Sequence, residues 1–240
     1  MTKLLFLLAL IFFGSLSAQE LEGSWKLITV DGQPVKDTES IRIYKDGYFS
    51  EGTKEEATNR FINVKGGEYT VTDAYSETYD FASTDSSIVG QKKDFELSLK
   101  GDELMLKRPD RQMTWKRISS NKNELSGNWV ITGRKRDGEI SRSTPGARRT
   151  IKILGGDRFQ WVAFNSDTGE FFGSGGGTYS AKDGQYVENL EFFSRDDSRV
   201  GAKLPFQYEI KNGEWHHSGK NSKGEPMYEI WSPYKVAYNN

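Results

Sequence analysis

One short pattern occurs twice. Leu21-Glu22-Gly23-Ser24-Trp25 returns as Leu125-Ser126-Gly127-Asn128-Trp129. Each copy then runs through an Asp-Gly pair, an Ile-x-Ile segment, a glycine turn followed by Phe, a Gly-Gly-x-Tyr-Thr/Ser segment and a closing Trp. The spacing is roughly 100 residues, the size of a whole small domain, so the chain is a duplication rather than a solenoid of short repeats.

Within each copy the hydrophobic pattern has period two. Ser40-Ile41-Arg42-Ile43-Tyr44 and Thr150-Ile151-Lys152-Ile153-Leu154 each put two isoleucines on one face, as do the alternating residues of 95–99 and 206–210. Such alternation marks half-buried antiparallel strands. Asp31-Gly32, Asp46-Gly47, Gly66-Gly67, Gly101, Asp137-Gly138, Gly155-Gly156, Asn212-Gly213 and Lys223-Gly224 read as the intervening turns. Only 53–59 hints at a helix, with a hairpin loop as the alternative. The fold class expected is all-β: two tandem antiparallel up-and-down β-barrels, each of seven to nine strands, closed because open edges invite aggregation. The boundaries are 1–18 for a leader, 19–118 for barrel 1, 119–124 for a linker and 125–240 for barrel 2. So short a tether implies that the barrels touch, and Ala237 to Asn240 read as a frayed tail.

Residues 1–18 have the form of a cleaved signal peptide: Lys3, an apolar run from Leu4 to Phe13, and small residues ending at Ala18. The chain has no Cys, so no lipidated cysteine follows the leader and no disulfide supports the fold. The expectation is a periplasmic or secreted protein, not a lipoprotein, with no membrane span once the leader is gone. Acidic and basic residues balance, 34 against 33, which argues against nucleic acid as a partner held by bulk charge. Arg134-Lys135-Arg136 and Arg148-Arg149 read as basic loops.

The Gly-x-Trp at Gly23 and Trp25, repeated at Gly127 and Trp129, resembles the first strand of the lipocalin and lipocalin-like superfamily. Thr72-Asp73-Ala74-Tyr75 looks like that group's Thr-Asp-x-Tyr turn. Copy two, with Gly176-Gly177-Thr178-Tyr179-Ser180, Leu204 to Glu209 and Glu229-Ile230-Trp231, is similar to small exported bacterial lipocalin-like domains of unknown function. The resemblance implies that the Trp closes the barrel base and that a basic residue, Arg117, stacks on Trp25. Copy two has no such Arg. Trp115 and Trp231 stand as the closing tryptophans of the two copies. The resemblance implies a binding fold and no particular reaction.

Tyr75 and Glu77, and Tyr186 and Glu188, are two apart and so share a strand face. A Tyr and a Glu pointing into a barrel would anchor a polar group. The ligand walls expected in copy two are Trp161, Tyr179, Tyr186, Glu188, Tyr208 and Trp215, the aromatics giving contact area and Glu188 giving orientation. The only histidines, His216 and His217, are adjacent and face opposite ways; His217 shares a face with Trp215, and an exposed His is the plainer reading. No metal or cofactor site and no catalytic residue is assigned. No nucleophile elbow or His-Glu-x-x-His motif occurs, and Gly173 to Gly177 read as a mouth loop rather than a phosphate cradle. Asp196-Asp197 read as a solvated loop. Three functions follow. The first is a non-enzymatic binding protein for a small hydrophobic or aromatic molecule. The second is a structural module with filled barrels that contacts an exported protein or a glycan. The third is an enzyme acting on a sugar or lipid inside the barrel, using Glu188 with Asp183 or His217 as acid and base.

Overall fold

The computed structural model describes residues 17–72, 74–221 and 224–238. Most of the leader, Asp73 of the Thr-Asp-x-Tyr turn, Lys223 of one expected turn and the last two tail residues lie outside the described residues. The chain forms two closed antiparallel barrels in tandem. Barrel 1 consists of β1 (Gly23–Val30), β2 (Gln33–Pro34), β3 (Thr38–Lys45), β4 (Tyr48–Glu55), β5 (Phe61–Val71), β6 (Tyr75–Ala82), β7 (Lys92–Lys100), β8 (Glu103–Arg108) and β9 (Arg111–Ser119). Barrel 2 repeats the plan with β10 (Gly127–Arg136), β11 (Glu139–Arg142), β12 (Arg148–Gly155), β13 (Arg158–Asn165), β14 (Phe171–Lys182), β15 (Gln185–Phe193), β16 (Lys203–Lys211), β17 (Glu214–Lys220) and β18 (Pro226–Pro233). Within each barrel the main strands pair in sequence order, β2 and β11 being short side strands paired only with β1 and β10, and β1–β9 and β10–β18 pairings close the two barrels. Closure leaves the main strands no open edge.

The turns follow from residue chemistry. Asp46 and Gly47 both hold positive φ, 55° and 75°, which is the conformation a two-residue hairpin needs and Asp-Gly tolerates best. Gly66-Gly67, expected to be a turn, lies inside β5 at a bulge against β6. A Cβ on Gly67 would sit 1.9 Å from the Thr78 carbonyl oxygen, so the close approach, not a chain reversal, needs the glycine. The segment 53–59 makes no helix: β4 runs to Glu55 and a turn leads into β5. Arg134-Lys135-Arg136 end β10 and Arg148-Arg149 begin β12, so neither basic run is a loop.

Each barrel has a base with tight turns and a mouth with longer loops. The bases are plugged alike. Leu21 and Leu125 are buried, and their carbonyls accept the indole N–H of Trp25 at 2.8 Å and of Trp129 at 2.9 Å. Gly23, at φ 125°, approaches the Ser119 carbonyl so closely that a Cβ would lie at 2.5 Å. Arg117 stacks over Trp25 with its guanidinium carbon 4.0 Å from the ring centre, and its N–H groups donate to the Glu22 and Glu20 carbonyls. In barrel 2, Pro233 pairs with Trp129 in that place.

The barrels pack side by side through a third apolar core on their outer faces, where Ile43, Tyr48, Val64 and Phe81 meet Ile151, Ile153, Val162 and Phe164. The Phe81 and Phe164 rings are 4.8 Å apart. At the base end, Asp46 accepts the Asn128 N–H, and Asp157 accepts from Ser119 and Asn121 of the linker region. At the mouth end, Phe61 stacks on Phe171 at 6.1 Å. Both mouths therefore open on the same side. The short helix α1 (Tyr234–Tyr238) packs into this seam through Tyr234 and Tyr238, where a frayed tail was expected. A crevice along the seam, lined by Ile41, Gly52, Lys54, Gln160 and Phe192 among others, has about 20 Å³ of space, enough for one water. No helix among the described residues is long and apolar enough to cross a membrane.

Candidate functional site

The seam inverts the naive reading of the strands. Because Ile41 and Ile43, or Ile151 and Ile153, face the other barrel, the alternate residues Arg42 and Lys152 point into the barrel interiors. Each interior thus contains a buried cation. The two copies treat it differently.

In barrel 1, Arg42 is fully buried. It donates to Glu51 at 2.5 and 3.0 Å, to Glu77 at 2.5 Å and to the Tyr44 hydroxyl at 2.8 Å. Tyr75 and Tyr79 donate to Glu77 at 2.7 and 2.6 Å, and Lys65 lies 3.3 Å from Glu51. The rings of Phe49 and Trp115 sit 4.9 and 4.7 Å from the guanidinium carbon. Burial would pull Arg42 down, but the two carboxylates outweigh it and hold it well above its usual range. Burial would likewise raise Glu51; Lys65 and Arg42 reverse that and bring it down to about 2. Burial pushes the Tyr44 hydroxyl up to about 12. Every charge here has its partner.

In barrel 2, Lys152 occupies the place of Arg42 and Glu188 that of Glu77. Lys152 Nζ donates to Glu188 at 2.6 Å, and the Tyr186 hydroxyl donates to the same oxygen at 2.8 Å. Four rings, of Phe159, Tyr186, Trp215 and Trp231, stand 5.3 to 5.9 Å from the ammonium. Across the barrel, β17 and β18 supply a second polar pair that barrel 1 lacks. His217 stands where barrel 1 has Leu106, and Glu229 where it has Met113, as the pairings of β17 with β18 and of β8 with β9 show. His217 is only 2% exposed, and neither ring nitrogen has a hydrogen-bond partner. Its Nδ1 is 3.7 Å from Glu229, beyond hydrogen-bond reach. Trp215 Nε1 is also buried without a partner. Burial pulls the His217 pKa below its usual value and nearby Lys152 adds to that, against the opposing pull of Glu229 and Glu188.

The six residues expected to line the ligand site occupy three levels. Tyr186, Glu188 and Trp215 meet in the middle of barrel 2 with Lys152 and His217. Tyr179 and Tyr208 lie at the base, where the Tyr179 hydroxyl accepts from Asn123 at 2.9 Å and Tyr208 donates to Glu124 at 2.8 Å. These two hold the plug rather than the middle of the barrel. Trp161 lies half-buried at the mouth against Phe193, ring centres 5.7 Å apart. Gly173 to Gly177 form no mouth loop; they belong to β14. Trp161 packs so closely on that strand that a Cβ on Gly175 would fall 2.7 Å from its indole nitrogen. His217, expected to be exposed, is instead among the most buried polar groups. Asp183 is exposed in the β14–β15 turn at the base, away from the Glu188 carboxylate. Asp196 caps a single turn over Asp197–Arg199. Among the described residues no three His, Asp or Glu side chains converge as a metal would require.

No protein-family model matches the chain, and no curated protein matches it.

Proposed function

We propose that the protein is an exported, non-enzymatic binding protein of lipocalin-like type, and that barrel 2 sequesters or carries a small hydrophobic or aromatic ligand. One observation carries the reading: both ring nitrogens of His217 are buried in barrel 2 with no hydrogen-bond partner, beside the Trp215 indole nitrogen, an orphan that barrel 1 matches with Trp115. Leaving a buried polar atom unpaired costs about 1–3 kcal/mol, so a chain retains such atoms where something else meets them. The leader-like N-terminus supports export, and the closed up-and-down barrel supports the lipocalin-like assignment. Entry is by the mouth, past Trp161 and Phe193.

The filled-barrel reading suits barrel 1. There the interior is knitted by Arg42, Glu51 and Glu77, with Leu106 and Met113 completing the wall. Barrel 1 is then the scaffold, and its outer surface the part available to a protein or glycan partner.

Native mass spectrometry of the mature chain, purified gently from its own host, tests the binding reading. An added mass that disappears on denaturation, and is absent from His217→Leu, is the expected result. A bare wild-type protein, with the same mass as the variant, removes it.

A further inference from the structure

The interior of barrel 2 also restricts what kind of molecule it takes. We infer that the ligand is uncharged and carries a hydroxyl or comparable group that both donates and accepts a hydrogen bond, seated at His217 with its ring or chain among Tyr186, Phe206 and Trp215. This rests on reading barrel 2 as the binding site.

The first argument is charge. A carboxylate entering the barrel would need a free cation. Lys152 is already held at 2.6 Å by Glu188, and its side chain is 6% exposed. A second anion there would leave one carboxylate buried and unpaired, which is unfavourable in a low-dielectric interior. A cationic ligand meets the mirror problem. Glu188 is taken by Lys152 and Tyr186, and Glu229 lies 3.4 Å from Arg134 while accepting the Trp231 indole N–H at 3.2 Å. Both signs are answered before a ligand arrives.

The second argument is hydrogen-bonding capacity. A neutral imidazole offers one N–H and one lone pair. Both are unpartnered at His217, and Trp215 adds a second idle donor. A hydroxyl or an amide reciprocates that set; a pure hydrocarbon leaves it unmet. The third argument is the surroundings. The rings of Phe206, Trp215 and Tyr186 pack on His217 at 4.4, 5.1 and 5.7 Å, so a ligand reaches it by displacing them, and the body that takes their place must itself be apolar or aromatic.

Isothermal titration calorimetry of the mature chain near neutral pH, with phenol against benzoate and 2-naphthol against 2-naphthoate, tests the inference. The alcohol of at least one pair is expected to bind at least about tenfold more tightly than its acid, since a site built to bond a hydroxyl discriminates strongly. His217→Leu is expected to lower the affinity for the alcohol about tenfold or more, and His217→Gln, which keeps a donor and an acceptor, to restore part of it. Because His217→Leu copies the Leu106 of barrel 1, it is compatible with the fold. Acids binding as tightly as alcohols, or a His217→Leu variant with unchanged alcohol affinity, overturns the inference while leaving barrel 2 as a binding site. No binding of any of the four probes overturns both.

Discussion

The two barrels share a plan and differ in how they handle one buried positive charge. Barrel 1 surrounds Arg42 with two carboxylates and a tyrosine on one side, and completes the wall with Leu106 and Met113. Barrel 2 has a simpler pair, Lys152 and Glu188, and places His217 and Glu229 on the opposite wall. The rigid five-donor fork of an arginine can satisfy two carboxylates at once, whereas a lysine is a point charge that one carboxylate and an aromatic cage suffice to hold. The far wall of barrel 2 also carries polar groups, two of whose atoms have no hydrogen-bond partner inside the barrel. Both barrels bury an unpartnered indole nitrogen, Trp115 in one and Trp215 in the other; duplication thus yields one barrel whose central charges close into a network and one that adds an unpartnered imidazole.

The sharpest way to break this contrast is to unmake the charge network of barrel 1. Arg42→Leu strands Glu77 without its cation and leaves Glu51 with Lys65 alone, and is expected to lower stability by about 3–5 kcal/mol in urea unfolding. A loss of under about 1 kcal/mol would mean that the network holds little of the fold together. Next in size is the reverse experiment in barrel 2. His217→Leu removes two unpartnered polar atoms and is expected to raise stability by about 1–3 kcal/mol, while Leu106→His in barrel 1 lowers it by a similar amount. If both substitutions destabilise, the equivalence of the two positions fails.

Acid separates the barrels by pH window. Glu51 is lowered from 4.5 to about 2 in the folded protein, so its stabilising effect is complete above 4.5 and is lost as pH falls from there towards 2. His217 is lowered from 6.5, so the unfolded chain takes up its proton first, and stability declines as pH falls below 6.5. Chemical unfolding across the acid range is therefore expected to show a mild loss that begins near neutrality and a steeper one below 4.5. The mild loss shrinks in His217→Leu to the part owed to His216, whose pKa burial also lowers from 6.5; an undiminished loss there would assign it elsewhere. The smallest effect is at the base. Arg117→Ala is expected to cost about 1 kcal/mol through its stacking on Trp25, seen as a lower Tm, while barrel 2 with Pro233 has no such contact to lose.

Much of the architecture was legible in the sequence because the signals were local and repeated. The Gly-x-Trp strands and the Asp-Gly turns rest on short-range chemistry, whereas the stacking of Arg117 on Trp25 was implied by the resemblance to lipocalins. The sharing of a face by Tyr186 and Glu188 follows from strand period alone. What alternation could not supply was the direction of each face. Ile151 and Ile153 read as a core face, and they do form a core, but one between the barrels; Lys152 then points inward, against the usual habit of lysine. The same blindness hid His217. Adjacency with His216 establishes that the two histidines diverge, and only the register of β17 against β18 shows which one is enclosed. The signal that could have found the interior cation was comparative: a basic residue flanked by isoleucines at the same place in both copies.

The seam has a mechanical consequence. Domains joined by a short linker ordinarily swing on it, unless a large apolar interface holds them. Here the linker itself is pinned, since Ser119 and Asn121 grip Asp157 and Leu125 plugs barrel 2, and the isoleucine faces and Phe61–Phe171 hold the rest. No hinge is left to open the molecule like a clam. On the proposed binding reading, a ligand of barrel 2 would have to pass its own rim, by the turning of Trp161 and Phe193 and the loops beside them. Such movements belong to the nanosecond-to-microsecond range of side chains and loops rather than to the slower range of domain rotation. The paired barrels are packed as one block.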